Sequence, residues 1–179
     1  FMIKTEEKVS FSSLGLRDYL LTAIDQYKMM LQYGPGSERE KDLLYYRMAM
    51  GYEKLLFYYE SIGTLERLIL SYPESTYLPD AMFKIGDLLH QTAKYNRAIE
   101  RLLAYVNKYP EGKYAKLATV TIGDCYYRMQ KGTVAGQWYD EARKKWPDLI
   151  DIPHALLINM GNHYFETGKF GLSLELYSL

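Results

Sequence analysis

The sequence predicts an all-α protein, a right-handed solenoid of stacked helix-turn-helix repeats, from three observations. An aromatic-proline pair recurs every 37 residues, ending at Pro73, Pro110 and Pro147. A glycine follows each pair, at Gly86, Gly123 and Gly161. The apolar residues between these markers recur at three and four residues, which is the spacing of one face of a helix. The chain is therefore expected to repeat one helical pair several times.

Each repeat is predicted to begin and end at a proline or close to one. Pro79 and Pro153 fall where a first helix would start, and a proline in a first turn loses no hydrogen bond. The prolines of the aromatic-proline pairs follow the ends of second helices, which they cannot extend. The glycine is expected to let its helix approach a neighbouring backbone closely. A single pair cannot bury its own apolar face, so the pairs must stack.

The chain is predicted to form a single solenoid, which these markers divide into five segments. They are residues 1–36 (an N-terminal helix or degenerate repeat), 37–74 (a degenerate repeat), 75–111 and 112–148 (repeats) and 149–179 (a truncated repeat). In the second segment Gly51 lies only 22 residues before Pro73, which predicts a shortened internal turn. In the first, the partner helix is expected to be missing or degenerate within residues 1–14.

The last segment stops partway through a second helix, with leucines where solenoids usually carry a polar cap. We therefore expect a fragment, or a chain that associates with itself or with a partner through its C-terminal helix.

Composition excludes several classes of function. Lysine plus arginine equals aspartate plus glutamate, 22 each, so no net charge attracts nucleic acid. Apolar residues make up 48% of the chain, which excludes the disordered class. The single Cys125 excludes an internal disulfide and a cysteine-rich zinc site. No apolar run approaches the roughly 18 residues needed to span a bilayer. We expect no nucleic-acid partner and no direct membrane span.

Catalytic and metal-binding motifs are incomplete. Gly168-Lys169 lacks the spacing and the following hydroxyl of a phosphate loop, so it is interpreted as the turn within a repeat. His163 with Glu166 is one fragment of a di-iron pattern that nothing completes. Cys125 is expected to be a packed, inert thiol rather than a reactive one. These patterns predict no enzyme activity, no metal and no cofactor.

The order glycine, twelve residues, small residue, twelve residues, proline resembles the tetratricopeptide repeat, a helical pair of about 34 residues. It is carried by IGDLLHQTAKYNRAIERLLAYVNKYP and IGDCYYRMQKGTVAGQWYDEARKKWP, and its first part by MGNHYFETGKFGLSLELYSL. The unit here is about three residues longer because the loop between repeats is extended. That long loop resembles the repeats of the bacterial outer-membrane assembly lipoprotein and of the Tol-Pal cell-division coordinator.

The resemblance implies a non-catalytic scaffold that binds a peptide or partner protein in a concave groove. It further implies a bacterial envelope assembly and a periplasmic or envelope-associated location. Two alternatives are a regulatory or targeting domain of a larger, enzyme-containing chain, and a cytoplasmic location.

The resemblance also implies where a ligand would bind, because this family uses fixed positions on each first helix. Carried over to this sequence, the groove residues are Tyr52, Phe83, Asp87, His90, Gln91, Asp124, Tyr127, Arg128, Asn162, Phe165 and Glu166. The clamp of lysine, asparagine and arginine with which some members hold a C-terminal carboxylate is absent. A groove lined by apolar side chains and a few carboxylates favours an extended or helical peptide with hydrophobic anchors and a neutral or basic character. The alternative is that Phe83, Tyr127 and Phe165 only pack against adjacent helices.

Overall fold

The computed structural model describes residues 13–34 and 38–179, which contain helices and turns but no strand. The helices in these residues are α1 (Ser13–Tyr33), α2 (Glu38–Lys54), α3 (Tyr58–Ser71), α4 (Leu78–Gln91), α5 (Tyr95–Lys108), α6 (Ala115–Arg128), α7 (Gly132–Lys145), α8 (His154–Glu166) and α9 (Phe170–Tyr177). They form two compact units, residues 1–67 and 68–179. The predicted all-α class of helix-turn-helix solenoids is confirmed.

In the first unit α1 packs against α2. Ile24 of α1 is buried, and a Cβ built on Gly51 of α2 would lie 3.1 Å from its side chain. Met48 and Leu55 complete this small core. The segment expected to hold a missing or degenerate partner for α1 lies almost entirely outside the described residues.

The turn between α2 and α3 is as long as the later turns, so the prediction of a shortened turn is wrong. Phe57 N donates to Tyr52 O at 2.9 Å, as Lys94 N donates to Leu89 O at 2.8 Å after α4. In this register Ala49 occupies the glycine position and Ser61 the small-residue position, with Pro73 twelve residues further on. Alanine is small enough for the helix contact, so this repeat has no glycine that would have revealed its register in the sequence. The buried Ser61 hydroxyl donates to Ala49 O at 2.9 Å.

The second unit contains three complete helical pairs, α4 with α5, α6 with α7, and α8 with α9. Each pair is joined by a tight turn whose middle residue has a positive φ, at Ala93, Gln130 and Gly168. Pro79 lies in the first turn of α4 and Pro153 directly precedes α8, as predicted. The longer connections, residues 72–77, 109–114 and 146–153, lie between pairs, where the sequence spacing had located the surplus.

The marker glycines lie where the two helices of one pair come closest. A Cβ on Gly86 would lie 2.6 Å from the Leu102 side chain, and one on Gly123 would lie 2.7 Å from the Tyr139 ring. A Cβ on Gly161 would lie 2.6 Å from the ring of Tyr177. The closest atoms are therefore side-chain atoms of the same pair's second helix, although the Leu102 backbone nitrogen also lies 3.4 Å from a Cβ built on Gly86.

We predict that Gly123→Leu lowers the free energy of unfolding by about 1–3 kcal/mol, because the new side chain must displace the buried Tyr139 ring. Urea unfolding followed by circular dichroism measures the change. Gly63→Ala in α3 is the control: nothing lies within 4 Å of the added Cβ, so stability should hold or rise by up to about 1 kcal/mol. An unchanged unfolding curve for Gly123→Leu would contradict the close contact.

Candidate functional site

A buried carboxylate joins the first helices of three consecutive pairs. Asp124 of α6 is fully buried and accepts hydrogen bonds from Asn159 Nδ2 of α8 and from Arg128 Nε, both at 2.7 Å. On its other side, His90 Nε2 of α4 lies 2.5 Å from Asp124 Oδ2. An uncompensated buried charge would destabilise the fold, so these three partners are what permits Asp124 to lie here. The carboxylate therefore holds α4, α6 and α8 in one register.

Asp124 is ionised at neutral pH. Burial raises its pKa, but the hydrogen bonds from His90, Arg128 and Asn159 together outweigh burial and hold the pKa of this carboxyl below its ordinary value. The pKa of the adjacent Cys125 thiol is shifted in the opposite direction, because burial and the Asp124 charge raise it to about 12. The thiol is buried and protonated, as expected for a packed cysteine.

Several of the predicted groove residues lie next to one another on the first helices of the second unit. On α4, Gln91 Nε2 donates to Asp87 Oδ2 at 3.1 Å. Between α6 and α8, the Tyr127 hydroxyl donates to Glu166 Oε1 at 2.9 Å. Phe165 of α8 is 59% exposed.

The remaining predicted residues of the second unit differ in their accessibility. Arg128 is exposed on its outer side, whereas His90 is half-buried against Asp124. Asn162 accepts a hydrogen bond from the Tyr177 hydroxyl at 2.6 Å. We call the accessible set the first-helix row: Asp87, Gln91, Tyr127, Arg128, Asn162, Phe165 and Glu166.

Phe83 packs between repeats. It is 4% exposed, and its ring stacks on Tyr114, with centroids 4.4 Å apart and planes 6° from parallel. Tyr114 immediately precedes α6, so this contact joins the first pair of the unit to the second. Phe83 therefore follows the alternative interpretation, in which its ring only packs against adjacent helices.

Tyr52 lies in the first unit and outside the first-helix row. In the observed register it occupies the position of Leu89, Tyr126 and Tyr164, because each of these accepts the hydrogen bond that closes its turn. Its ring packs on Phe57 and against the core of that unit. Its assignment to the groove followed from placing Gly51 at the glycine position.

Two contributors to the site, Asn159 and Tyr177, were not predicted. Neither falls at a position carried over from the family. One signal for Asn159 was present, because it is a polar residue that lies 35 residues from Asp124, close to one repeat length.

The described residues contain no group of three histidine, cysteine, aspartate or glutamate side chains placed to share a metal ion. Among the same residues, no helix combines the length and apolarity that crossing a bilayer requires.

Comparison with known proteins gives one family match. Residues 80–112, which run from the first turn of α4 through α5, match the tetratricopeptide repeat family. No curated protein matches the chain.

Three solved structures share the arrangement of helices. MamA is 14% identical, with 95% of this chain and 93% of that chain covered and a TM-score of 0.67. A putative kinesin light chain with nearly identical TPR-like repeats, from Podosopora anserina, is 10% identical over 92% and 84%, with a TM-score of 0.69. The apo form of RapI is 18% identical over 89% of this chain and 47% of that chain, with a TM-score of 0.72. At these identities the likeness shows the fold.

We predict that Asp124→Asn destabilises the protein by about 1–3 kcal/mol at neutral pH, because His90 and Arg128 lose their ionised acceptor. The folded-state pKa of Asp124 is depressed, so its contribution is present above the unfolded value of about 3.9 and disappears as the pH falls through the folded value.

Unfolding free energies measured from about pH 7 down to pH 2 test this, since 3.9 is the midpoint of the unfolded carboxyl. The difference between wild type and variant should shrink as the pH falls. A difference that is constant with pH would refute the charge-based role.

Proposed function

We propose that this chain, a tetratricopeptide-repeat protein, is a non-catalytic scaffold that binds another protein along the first-helix row of its second unit. The observation that carries the proposal is the Asp124 network. It joins α4, α6 and α8, so the accessible side chains of successive pairs stand in a fixed line. A preorganised row of this kind loses little conformational entropy on binding.

The chemistry of the row defines the ligand. Phe165 and Tyr127 offer aromatic surface for an apolar anchor. Glu166 places a carboxylate beside Tyr127. Asp87 adds a carboxylate on α4 that is paired with Lys84 at 3.8 Å, and the Arg128 guanidinium is paired with Asp124. An extended or helical peptide with an aromatic or aliphatic anchor and a neutral or basic character fits this surface.

The groups that most resemble catalytic side chains are occupied in packing. His163 is buried, and its Nε2 would lie 2.7 Å from a Cβ on Gly136. Burial lowers the pKa of His163, which favours the neutral ring. These contacts support a structural role and a scaffold without catalysis.

Bacterial envelope assembly is the setting we propose, with a periplasmic or envelope-associated location. The support is the resemblance of the long connections, residues 72–77 and 109–114, to repeats of envelope proteins. Fractionation of the native organism with an antibody against the chain tests this. Recovery in the cytoplasmic fraction would reject it.

A regulatory or targeting domain of a larger protein is the second candidate. The RapI comparison favours it, because the shared fold accounts for 47% of that chain and thus occurs as part of a longer protein. The complete coding region distinguishes the two, since a catalytic domain on either side of these residues would support the second.

We predict that the combined change Phe165→Ala and Glu166→Lys weakens peptide binding by at least about ten-fold, or 1.4 kcal/mol, through loss of the anchor site and reversal of a charge. The probe is a displayed library of twelve-residue peptides selected on wild type, with affinities then measured by calorimetry. We expect enriched peptides to carry an aromatic or aliphatic anchor and Lys or Arg.

Leu70→Ala, at an exposed leucine of α3 within the same unit, is the matched control and should bind like wild type. Phe83 is not mutated in this test, because its ring packs between repeats and its loss would affect the fold. Failure to enrich peptides, or equal affinity for all three proteins, would reject the first-helix row as the binding site.

A further inference from the structure

A histidine lies buried between α7 and α8, where the last pair of the second unit joins the pair before it. His163 of α8 is 4% exposed. Its Nδ1 lies 3.9 Å from the position of a Cβ on Gly132, and its Nε2 lies 2.7 Å from that of a Cβ on Gly136. The imidazole therefore fills a hollow that two glycines leave open on α7.

The preceding junction of the second unit, between α5 and α6, is built differently. There the equivalents of the two glycines are Tyr95 and Ile99, and the equivalent of His163 is Cys125. In α4 the same position holds Leu88, so neither of the two earlier first helices places a group there that gains a positive charge. The backbones of α7 and α8 also lie close over a shorter length than those of α5 and α6. The imidazole therefore contributes a large share of the contact that docks α8 on α7.

Three tyrosine rings surround the imidazole on its other sides. The ring centroids of Tyr139 on α7 and Tyr164 on α8 lie 5.6 Å from that of His163. The Tyr127 ring on α6 lies 6.2 Å away, edge to face. Burial raises the pKa of all three phenols, so they stay neutral at acidic and neutral pH. Because α6, α7 and α8 enclose the ring, a charged imidazole reaches water when α8 moves away from α7.

Three charged groups face the imidazole from the rim of this enclosure. Asp140 of α7 accepts hydrogen bonds from the Tyr164 hydroxyl at 2.7 Å and from Lys169 Nζ at 3.0 Å, and Glu166 lies one turn after the histidine on α8. Burial is the largest influence on His163 and lowers its pKa below 6.5, although the two carboxylates act in the opposite direction. A proton on this ring therefore destabilises the docked arrangement.

We propose that His163 makes partner binding sensitive to acid: its protonation releases the pair of α8 and α9 from α7, and the first-helix row loses its α8 half. This inference rests on the proposed function and specifies a regulation of the same site. The Tyr127 hydroxyl of α6 donates to Glu166 of α8 across the two pairs, so release separates these two side chains. Phe165 moves away with the same helix.

The direction of the pH dependence follows from linkage. A released histidine binds its proton near pH 6.5, whereas the docked one binds it only at lower pH. The stability of docking is therefore fully present above about pH 6.5 and decreases as the pH falls below that value, until the docked ring is protonated too. One proton increases the ratio of released to docked protein by at most about ten-fold per pH unit. The contribution of Asp124 disappears in a lower range, around and below about pH 3.9, so the two effects are separated.

Hydrogen exchange of the 179-residue chain, followed by mass spectrometry at a series of pH values from about 8 to about 5, is the first test. After correction for the intrinsic pH dependence of exchange, the opening constant of residues 154–179 should rise about three-fold to ten-fold per pH unit below about pH 6.5. The opening constant of residues 38–54, in the first unit, should stay constant and provides the reference.

His163→Leu tests whether this histidine causes the response, because it introduces the residue type that α4 carries at the equivalent position. The rise in the opening constant of residues 154–179 should be lost, whatever the value of that constant at pH 8. His163→Gln is a second variant that cannot titrate, so a poorly fitting leucine does not decide the result.

His154→Leu is the matched control, since His154 is an exposed histidine at the start of the same helix. Its opening constant should depend on pH as in wild type. His90 and Asp124 are present in every variant, so their contribution cancels in the comparison. Opening that does not change with pH in wild type overturns the proposal, and so does a rise that persists in both His163 variants.

Peptide affinity at about pH 7.5 and about pH 5.5 connects the opening to binding. The probe is a peptide selected on wild type that contains no histidine, aspartate or glutamate, so its own charge is constant. Wild type should bind it about five-fold or more weakly at the lower pH, whereas His163→Leu should bind equally at both. Equal affinity of wild type at both pH values rejects the regulation and leaves the proposed function intact. Acid-dependent opening without any peptide binding rejects the proposed function, and the regulation with it.

Discussion

Each helical pair of the second unit closes only because its first helix lacks a side chain where the second helix crosses it. Gly86, Gly123 and Gly161 bring Leu102, Tyr139 and Tyr177 against bare backbone, closer than any Cβ would allow. The large side chain of the second helix fills the space that a side chain at the glycine would otherwise occupy, so the contact between the two helices is densely packed. The turns follow from this approach, since a short connection between close antiparallel helices requires one residue with a positive φ. Stacking follows as well, because a closed pair still presents an apolar face to its neighbour.

The Asp124 network adds a polar constraint to this apolar packing. Apolar contacts between helices tolerate small shifts, whereas a buried carboxylate with three donors is satisfied in one geometry. The free energy cost of burying the charge is offset only when α4, α6 and α8 are all in place. Specificity of register between repeats is therefore the role we assign to Asp124, and the accessible side chains around it inherit that order.

Much of the second unit was predictable, because proline and glycine report backbone constraints that act locally. Prediction failed in the first unit, where Ala49 replaces the marker glycine and Gly51 shifted the register by two residues. For the candidate site, the positions carried over from the resembled family include Phe165 and Glu166, which are exposed, but they could not distinguish Phe83, which Tyr114 covers from the next repeat. Two of the three partners of Asp124, His90 and Asn159, lie 34 and 35 residues away, close to one repeat length. Polar residues about one repeat apart were therefore the neglected signal.

Contacts in the second unit join residues within a pair or about one repeat apart, so the sequence distance between partners stays short. Chains with this property fold quickly, and their ends open before their middle. Asp124 modifies that behaviour, since it links three pairs through one side chain. Opening the pair of α4 and α5 or the pair of α8 and α9 removes a donor from the same carboxylate, so either event weakens the other. Under mechanical tension these three pairs would therefore yield as a single block instead of unpeeling one by one.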